Sequence, residues 1–308
     1  MKHLLSLNDL TTEEIEQILT LAAKLKKDLK NGVENKILKG KTLGMIFAKS
    51  STRTRVSFEV GMYQLGGTAL YLNANDIQLG RGEIIYDTAN VLSRYLDGIM
   101  IRTFKQSDVE DLAKYGSIPV INGLTDLFHP CQILADLQTI QEQKGRLQGL
   151  KLAYVGDGFN IANSLLHGCA KVGMNIAIAT PKGYECDTVI VEEAKATAKL
   201  TGSKIIVTDD PELAFDNADV MYTDTWISMG QEDEKETRMK AFMPYQVNAK
   251  LVSKAKDNAI FLHDLPAYRD FEVTAEIIDG PNSFIFDQAE NRMHAQKAVM
   301  ALLMGKDN

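Results

Sequence analysis

Apolar and polar residues follow two spacings along the chain, one helical and one of strand length. Residues 8–30 place leucines and isoleucines at helical spacing between early acidic residues and a lysine-rich end, with Asn8 or Thr11 as candidate N-caps, so they predict an amphipathic helix. Residues 42–48 instead form a short apolar run, which predicts a buried strand. Helical and strand-length patterns continue to alternate through the rest of the sequence.

The alternation predicts a parallel sheet in each half of the chain, because strands that alternate with helices are typical of parallel α/β folds. Strands are predicted at residues 42–48, 69–72, 98–101 and 119–121, and then at 151–155, 175–179, 204–207, 219–222 and 260–262. Helices are predicted at about residues 53–65, 84–96, 106–115, 131–144 and 288–304. The predicted fold class is therefore α/β, with two doubly wound parallel-sheet domains.

The glycines at 145 and 149 mark the predicted domain boundary. At 308 residues the chain exceeds the size at which one hydrophobic core usually keeps growing. We predict a first domain at residues 1–146 and a second at 147–287, with a C-terminal helix within 288–308 that packs back on the first. Ligands of such sheets bind outside the carboxyl ends of the strands, which predicts an active site in the cleft between the domains.

Composition narrows the range of partners. A formal net charge of −7 and a pI near 5.4 argue against a nucleic-acid partner, which would require a basic surface. No run reaches the roughly 18 apolar residues of a membrane span and no signal peptide is recognisable, so we predict a cytoplasmic protein with no membrane partner. Cys131, Cys169 and Cys186 have no CxxC spacing and the five histidines are scattered, so we predict no metal and no cofactor.

A cluster of hydroxyl and guanidinium side chains stands at a predicted helix start, in Ser51-Thr52-Arg53-Thr54-Arg55. The amides and dipole of a helix N-terminus, together with arginine forks, suit a phosphate group. Arg102 and Arg292, with Arg269 as a further candidate, flank other predicted strands or helix starts. The sequence therefore predicts a phosphate site at the carboxyl end of the first strand.

Two other segments contain candidate functional residues, but their spacing does not identify a single function. His129 opens a predicted helix beside Pro130, where its imidazole can donate to a substrate carbonyl or simply cap the helix, and His263 and His294 are interpreted as structural. Gly156-Asp157-Gly158 follows a strand, but Ile161 stands where the dinucleotide fingerprint needs a third glycine. A nicotinamide cofactor is therefore not predicted.

In this order the motifs resemble those of the aspartate/ornithine carbamoyltransferase family, along nearly the whole chain. Ser51 to Arg55 resembles the family's carbamoyl-phosphate loop, and His129-Pro130-Cys131-Gln132 with Leu134-Ala135-Asp136 resembles its second signature. The resemblance implies that Gln78 enters a neighbouring subunit's site, and hence a homotrimer or a multiple of trimers. The carbamoyl-phosphate-binding residues that it implies are Ser51, Thr52, Arg53, Thr54, Gln78, Arg102, His129, Gln132, Leu265 and Arg292.

The acceptor is read from residues 223–230, which resemble the family's ornithine-specific motif. The resemblance implies that Asp224 binds the amine groups, that Ser228 and Met229 hold the amino-acid end, and that Asn160 contacts the groups on the ornithine α-carbon. It further implies transfer of the carbamoyl group to the ornithine side-chain amine, giving citrulline and phosphate in arginine metabolism, in the biosynthetic or the catabolic direction. Two alternatives stay open: another amine acceptor such as putrescine, or a non-catalytic paralogue that binds carbamoyl phosphate.

Catalysis is assigned by the resemblance to Arg102 and His129, which with Thr54 would face the developing oxyanion, and to the position of Asp264. The family usually has cysteine where this chain has Asp264. A unit charge about 4 Å from the reacting amine is worth on the order of 4 kcal/mol at an effective dielectric near 20, so an ionised Asp264 would keep the amine protonated unless it turns to an arginine. Milder departures are Phe159, Thr68 and Asp270-Phe271.

Overall fold

The computed structural model describes residues 1–78, 82–228 and 230–305, which form two compact units. Unit 1 comprises Met1–Gln138 and Glu290–Asn308, and unit 2 comprises Thr139–Ala289. Each unit contains a sheet whose neighbouring strands all run parallel. The predicted class, two parallel α/β domains, is confirmed.

Unit 1 is built on a sheet with the strand order β2-β1-β3-β4. Its strands are β1 (Thr42–Phe47), β2 (Thr68–Asn73), β3 (Gly98–Arg102) and β4 (Val120–Leu124). The helices in this part of the chain are α1 (Thr12–Lys30), α2 (Thr52–Gln64), α3 (Ile85–Leu92), α4 (Gln106–Tyr115) and α5 (Pro130–Lys144).

Local capping explains where α1 begins. Of the two candidate caps, Thr11 is the N-cap, since its side chain accepts a hydrogen bond from the Glu14 backbone N–H and the Glu14 carboxylate accepts one from the Thr11 N–H. This reciprocal capping box satisfies two amides that the helix leaves without internal partners. The helix therefore begins after Thr11, later than the hydrophobic pattern predicts.

Unit 2 has a sheet with the strand order β7-β6-β5-β8-β9. Its strands are β5 (Lys151–Val155), β6 (Asn175–Ala179), β7 (Ile205–Thr208), β8 (Val220–Thr223) and β9 (Ile260–Leu262). The helices that follow α5 are α6 (Asn160–Lys171), α7 (Thr188–Thr201), α8 (Pro211–Phe215), α9 (Lys235–Phe242), α10 (Ala249–Val252), α11 (Ala275–Ile278) and α12 (Ile285–Met304).

The residues of α12 that belong to unit 1 bond to its first two helices. Lys26 Nζ in α1 donates to Asn291 Oδ1 at 2.7 Å, and Lys297 Nζ donates to Gln64 Oε1 of α2 at 2.8 Å. Both lysines are buried, so these bonds satisfy charged donors that would otherwise be costly to bury. They fix the helix that carries Arg292.

None of the helices in the described part of the chain is long and apolar enough to cross a membrane.

Candidate active site

The N-terminus of α2 gathers the hydroxyl side chains that the sequence predicts for phosphate binding. Ser51 is the N-cap and accepts a hydrogen bond from the Thr54 N–H at 3.2 Å. Because α2 starts soon after β1 ends, its first amides lie at the carboxyl end of the unit 1 sheet. Thr52 is exposed, Ser51 and Arg53 are half-buried and Thr54 is buried. The segment thus offers amides, hydroxyls and a guanidinium to an anion.

Arg292 joins this helix start to α5 inside unit 1. One guanidinium nitrogen donates to Gln132 Oε1 at 2.6 Å and the other terminal nitrogen donates to Thr54 Oγ1 at 3.1 Å. Gln132 in turn donates to Asp136 Oδ1 at 2.8 Å. All four side chains are buried, so the network holds the Arg292 fork in one orientation.

Arg102 and His129 complete the basic cluster of unit 1. Arg102 is the last residue of β3, where the register with β4 shifts, and it is buried. His129 precedes α5 and is 3% exposed. Burial, and then the positive charges of Arg292, Arg102 and Arg53, hold the pKa of His129 well below its usual value. The imidazole is therefore neutral at neutral pH and has one N–H to donate.

Three other predicted residues take different positions. Gln78 is exposed on unit 1. Leu265 lies in unit 2, half-buried, with a φ of 60°. Arg269 also lies in unit 2, where its guanidinium pairs with Asp279 at 2.6 and 2.8 Å on the exposed surface. A contribution of Arg269 to the phosphate site stays a prediction.

Two carboxyl groups meet at the candidate amine end in unit 2. Asp224 follows β8, is buried and accepts a hydrogen bond from the Thr225 N–H at 2.6 Å. The Asp264 carboxyl lies beside it, with one oxygen of each group within 4.8 Å of the other. Burial, then Asp264, and then the charge of Glu272 raise the pKa of Asp224 well above its usual value. The raised pKa favours the form of the pair in which Asp224 holds a proton.

His263 stands beside this pair with both ring nitrogens near protein atoms. Nδ1 accepts the Leu265 N–H at 2.9 Å, which places the ring proton on Nε2, 3.3 Å from Glu272 Oε1. One potential ligand atom each from Asp224, His263 and Asp264 lies within 4.8 Å of the others. Since both nitrogens of His263 already face protein groups, we assign no metal to these residues.

The remaining candidate ornithine residues lie on two loops of unit 2. Asn160 is the buried first residue of α6, behind the N-cap Phe159, which makes no side-chain cap hydrogen bond. Ser228 lies after β8, and its N–H donates to Gln231 Oε1 at 3.0 Å. Met229 lies outside the described residues.

Sequence reasoning did not predict several contacts that hold these loops in place. Arg238 and Asp157 form a buried ion pair in unit 2, and Asp136 anchors Gln132 in unit 1. Lys49, at the entry to the α2 loop, pairs with Asp126 and lies 4.3 Å from the centre of the Phe104 ring. Local patterns give no signal for most of these contacts, since the partners lie far apart in sequence.

Comparison with known proteins matches both halves of the chain. A family model described as the aspartate/ornithine carbamoyltransferase carbamoyl-P binding domain matches residues 2–142, and one described as the Asp/Orn binding domain matches residues 148–303. The chain belongs to the aspartate/ornithine carbamoyltransferase family. The resemblance recognised from the motifs is thereby confirmed.

Individual members of the family match over nearly their full length. The ornithine carbamoyltransferase of Caldicellulosiruptor saccharolyticus is 62% identical over 303 residues, which cover 98% of each chain. The structure of ornithine carbamoyltransferase from Pyrococcus furiosus has a TM-score of 0.97 at 55% identity and covers 100% of this chain and 98% of its own. That of the anabolic ornithine carbamoyltransferase from Campylobacter jejuni has a TM-score of 0.92 at 43% identity, over 98% and 99%.

Proposed function

We propose that the chain is an ornithine carbamoyltransferase, which transfers the carbamoyl group of carbamoyl phosphate to the side-chain amine of ornithine and releases citrulline and phosphate. The observation that carries the reaction is the buried cluster of Arg102, His129 and Arg292 beside the α2 N-terminus. The full-length matches to ornithine carbamoyltransferases support the choice of acceptor.

Carbamoyl phosphate is proposed to bind at the unit 1 cluster. Its phosphate would accept hydrogen bonds from the first turn of α2 and from Arg53, since a helix N-terminus and a guanidinium fork both suit a dianion. Arg292, held by Gln132 and Thr54, would add a second fork. Gln78 from a neighbouring subunit and Leu265 from unit 2 are proposed as further contacts.

The carbamoyl oxygen is proposed to face Arg102, His129 and Thr54. Attack of the amine on the carbamoyl carbon places negative charge on this oxygen, and donors fixed in advance stabilise such charge without reorganising during the reaction. A neutral His129 donates one N–H here and leaves the positive charge to the arginines. Phosphate then departs from the α2 loop, and no covalent enzyme intermediate is needed.

Ornithine is proposed to bind to unit 2, with its amine at Asp224 and Asp264 and its α-carbon groups at Asn160, Ser228 and Met229. The attacking nitrogen must be uncharged, although a lysine-like amine has a pKa of about 10.4. The site must therefore remove a proton from bound ornithine. The carboxyl pair binds the ammonium, and the raised pKa of Asp224 reduces the negative charge that opposes this loss.

Assembly and location are proposed from the same family membership. We propose a homotrimer or a multiple of trimers, in which Gln78 of one subunit serves the site of the next, and a cytoplasmic location. Arginine metabolism is the proposed setting, since citrulline is the product.

Product formation tests the proposal. The protein is incubated with carbamoyl phosphate and, in parallel, ornithine, putrescine or aspartate between about pH 6 and 10, and carbamoylated products are measured. Citrulline from ornithine, with no product from the other two amines, is the expected result. A product from putrescine alone would assign another acceptor. No product at all, with carbamoyl phosphate binding by calorimetry, would indicate a non-catalytic binder.

A further inference from the structure

Arg238 occupies the centre of a buried cluster in unit 2. The residue lies in α9 and is only 3% exposed. Its Nε donates to the backbone oxygen of Trp226 at 2.7 Å, and its Nη2 pairs with Asp157. The guanidinium carbon lies 4.9 Å from the centre of the Tyr184 ring and 5.1 Å from that of Phe242, so aromatic rings cover the group that makes both contacts.

Arg238 Nη1 also pairs with Glu234 Oε2 at 3.4 Å, close by in the chain. The other two partners, Asp157 and Trp226, belong to the two loops that carry the proposed ornithine contacts. Asp157 follows β5 and comes shortly before Asn160 at the start of α6. Trp226 follows β8 and comes shortly before Ser228. These loops are separate in sequence, and one guanidinium holds them both.

We propose that Arg238 is a positioning residue of the acceptor site, which fixes the loop after β5 against the loop after β8 so that Asn160 and Ser228 hold the amino-acid end of ornithine at the correct spacing. The proposal rests on the proposed function. It assigns to Arg238 no contact with either substrate and no part in the chemistry.

The chemistry of the contacts requires arginine. A guanidinium presents several N–H donors in a planar fork, so it can serve a backbone oxygen and a carboxylate at once and still lie against aromatic rings, whereas a lysine ammonium is a single compact charge. Burial raises the pKa of Asp157 and the charge of Arg238 opposes that rise. Loss of the guanidinium would leave a buried carboxyl without its counter-charge, which is unfavourable.

Arg238→Lys and Arg238→Gln test the assignment through substrate selectivity. A hydrogen bond to a charged group contributes about 1.5–3 kcal/mol, and each 1.4 kcal/mol is about tenfold in an equilibrium. We therefore expect the KM for ornithine to rise about 10- to 100-fold in Arg238→Gln, with partial rescue in Arg238→Lys. The affinity for carbamoyl phosphate, measured by calorimetry, should stay within about twofold of wild type, because none of its proposed contacts lies on the two loops that Arg238 joins.

Arg146→Lys is the matched control, since Arg146 is an exposed arginine of the same unit. This variant should leave both substrate parameters unchanged. Asp157→Asn changes the carboxylate partner of Arg238 instead, and it should also raise the KM for ornithine selectively. This variant tests the proposal if the Arg238 variants fail to fold.

The outcomes separate the two proposals. Wild-type protein that makes no citrulline would overturn the proposed function. The positioning role would be overturned if wild type is active and the folded variants, Arg238→Lys, Arg238→Gln or Asp157→Asn, keep the wild-type KM for ornithine. A fall in kcat with KM constant would overturn it as well. A selective rise in that KM supports it.

Discussion

Asp264 brings a second carboxyl group to the residue proposed to bind the ornithine amine. From the sequence alone, Asp264 is either a full negative charge or the partner of an arginine. In the structure its carboxyl instead lies beside that of Asp224 and 3.5 Å from Nδ1 of His263. Asp264 raises the pKa of Asp224, which favours a protonated Asp224 and so reduces the negative charge at this end of the site. The extent to which the two carboxyl groups oppose deprotonation of the ornithine amine therefore depends on pH.

Replacement of Asp264 should change the pH dependence of the reaction. As pH rises through the raised pKa of Asp224, the carboxyl pair gains negative charge, which holds ornithine as an ammonium ion. Asp264→Cys and Asp264→Asn both remove this charge, so kcat/KM for ornithine should rise and the pH of maximal rate should fall. A drop of one pKa unit in the bound amine raises its uncharged fraction about tenfold. Steady-state rates between about pH 6 and 10 measure both effects.

Asp279→Asn is the control for that comparison, because Asp279 is an exposed carboxyl of the same unit. Identical profiles for wild type and both Asp264 variants would remove the electrostatic argument.

The same pair should make stability depend on pH. An aspartate in the unfolded chain has a pKa of about 3.9, whereas the folded pKa of Asp224 is raised. The folded protein therefore binds more protons in that window, so this stabilisation is present below about pH 3.9 and is lost as pH rises through the folded pKa. Asp264→Asn removes one cause of the raised pKa, so wild type should lose stability relative to this variant as pH rises from about 4 to 8.

Urea unfolding at several pH values measures this difference. A stability difference between the two proteins that stays constant with pH would contradict a raised pKa for Asp224 in the folded protein.

At the level of secondary-structure elements, hydrophobic spacing predicted most strands closely but missed several ends. β5, β6 and β9 match their predicted ranges, since each is largely an apolar run. β4 continues through Asn122-Gly123 to Leu124, a pair that in isolation is typical of a turn. Asn122 is held there by bonds to the Leu5 oxygen and to Gln106. Such distant partners cannot be read from local pattern.

Packing explains why the loop before α6 has glycine at position 158. A Cβ on Gly158 would lie 2.6 Å from the Tyr184 oxygen and overlap the backbone of 185 and 186. The glycine is required for close packing of this loop against the chain beyond β6. It therefore helps to place Asn160.

Gly158→Ala should displace this loop. Overpacking of this kind typically costs about 1–3 kcal/mol, so the melting temperature should fall and the KM for ornithine should rise. Gly183→Ala is a useful comparison, because nothing lies within 4 Å of the point that its Cβ would occupy, although its φ of 88° adds strain of its own. Equal KM values for Gly158→Ala and wild type would show that the loop tolerates the extra carbon.

At the scale of the whole molecule, the proposed trimer predicts that subunits complement one another. Gln78 is exposed on unit 1 and Arg102 is buried in the same unit, yet the proposal has them act in different sites. When Gln78→Ala and Arg102→Ala proteins are unfolded and refolded together, some sites should combine an intact Arg102 with an intact Gln78. Random assembly of a cyclic trimer should restore roughly a quarter of wild-type sites.

Citrulline production by the refolded mixture, against each variant refolded alone, measures the recovery. Activity no greater than the sum of the two variants, in a mixture shown to be trimeric by light scattering, would place Gln78 in the site of its own subunit or in none.

The position of Arg292 has a consequence for synthesis on the ribosome. Its partner Gln132 lies 160 residues earlier and Thr54 lies 238 residues earlier. At about 5–20 residues per second, the arginine is made roughly 10 to 30 s after the glutamine that orients it. The basic cluster of unit 1 is thus completed only after the whole of unit 2 has been made. A nascent chain therefore lacks one of its phosphate-binding forks until α12 has been made, even though the first unit began to emerge long before.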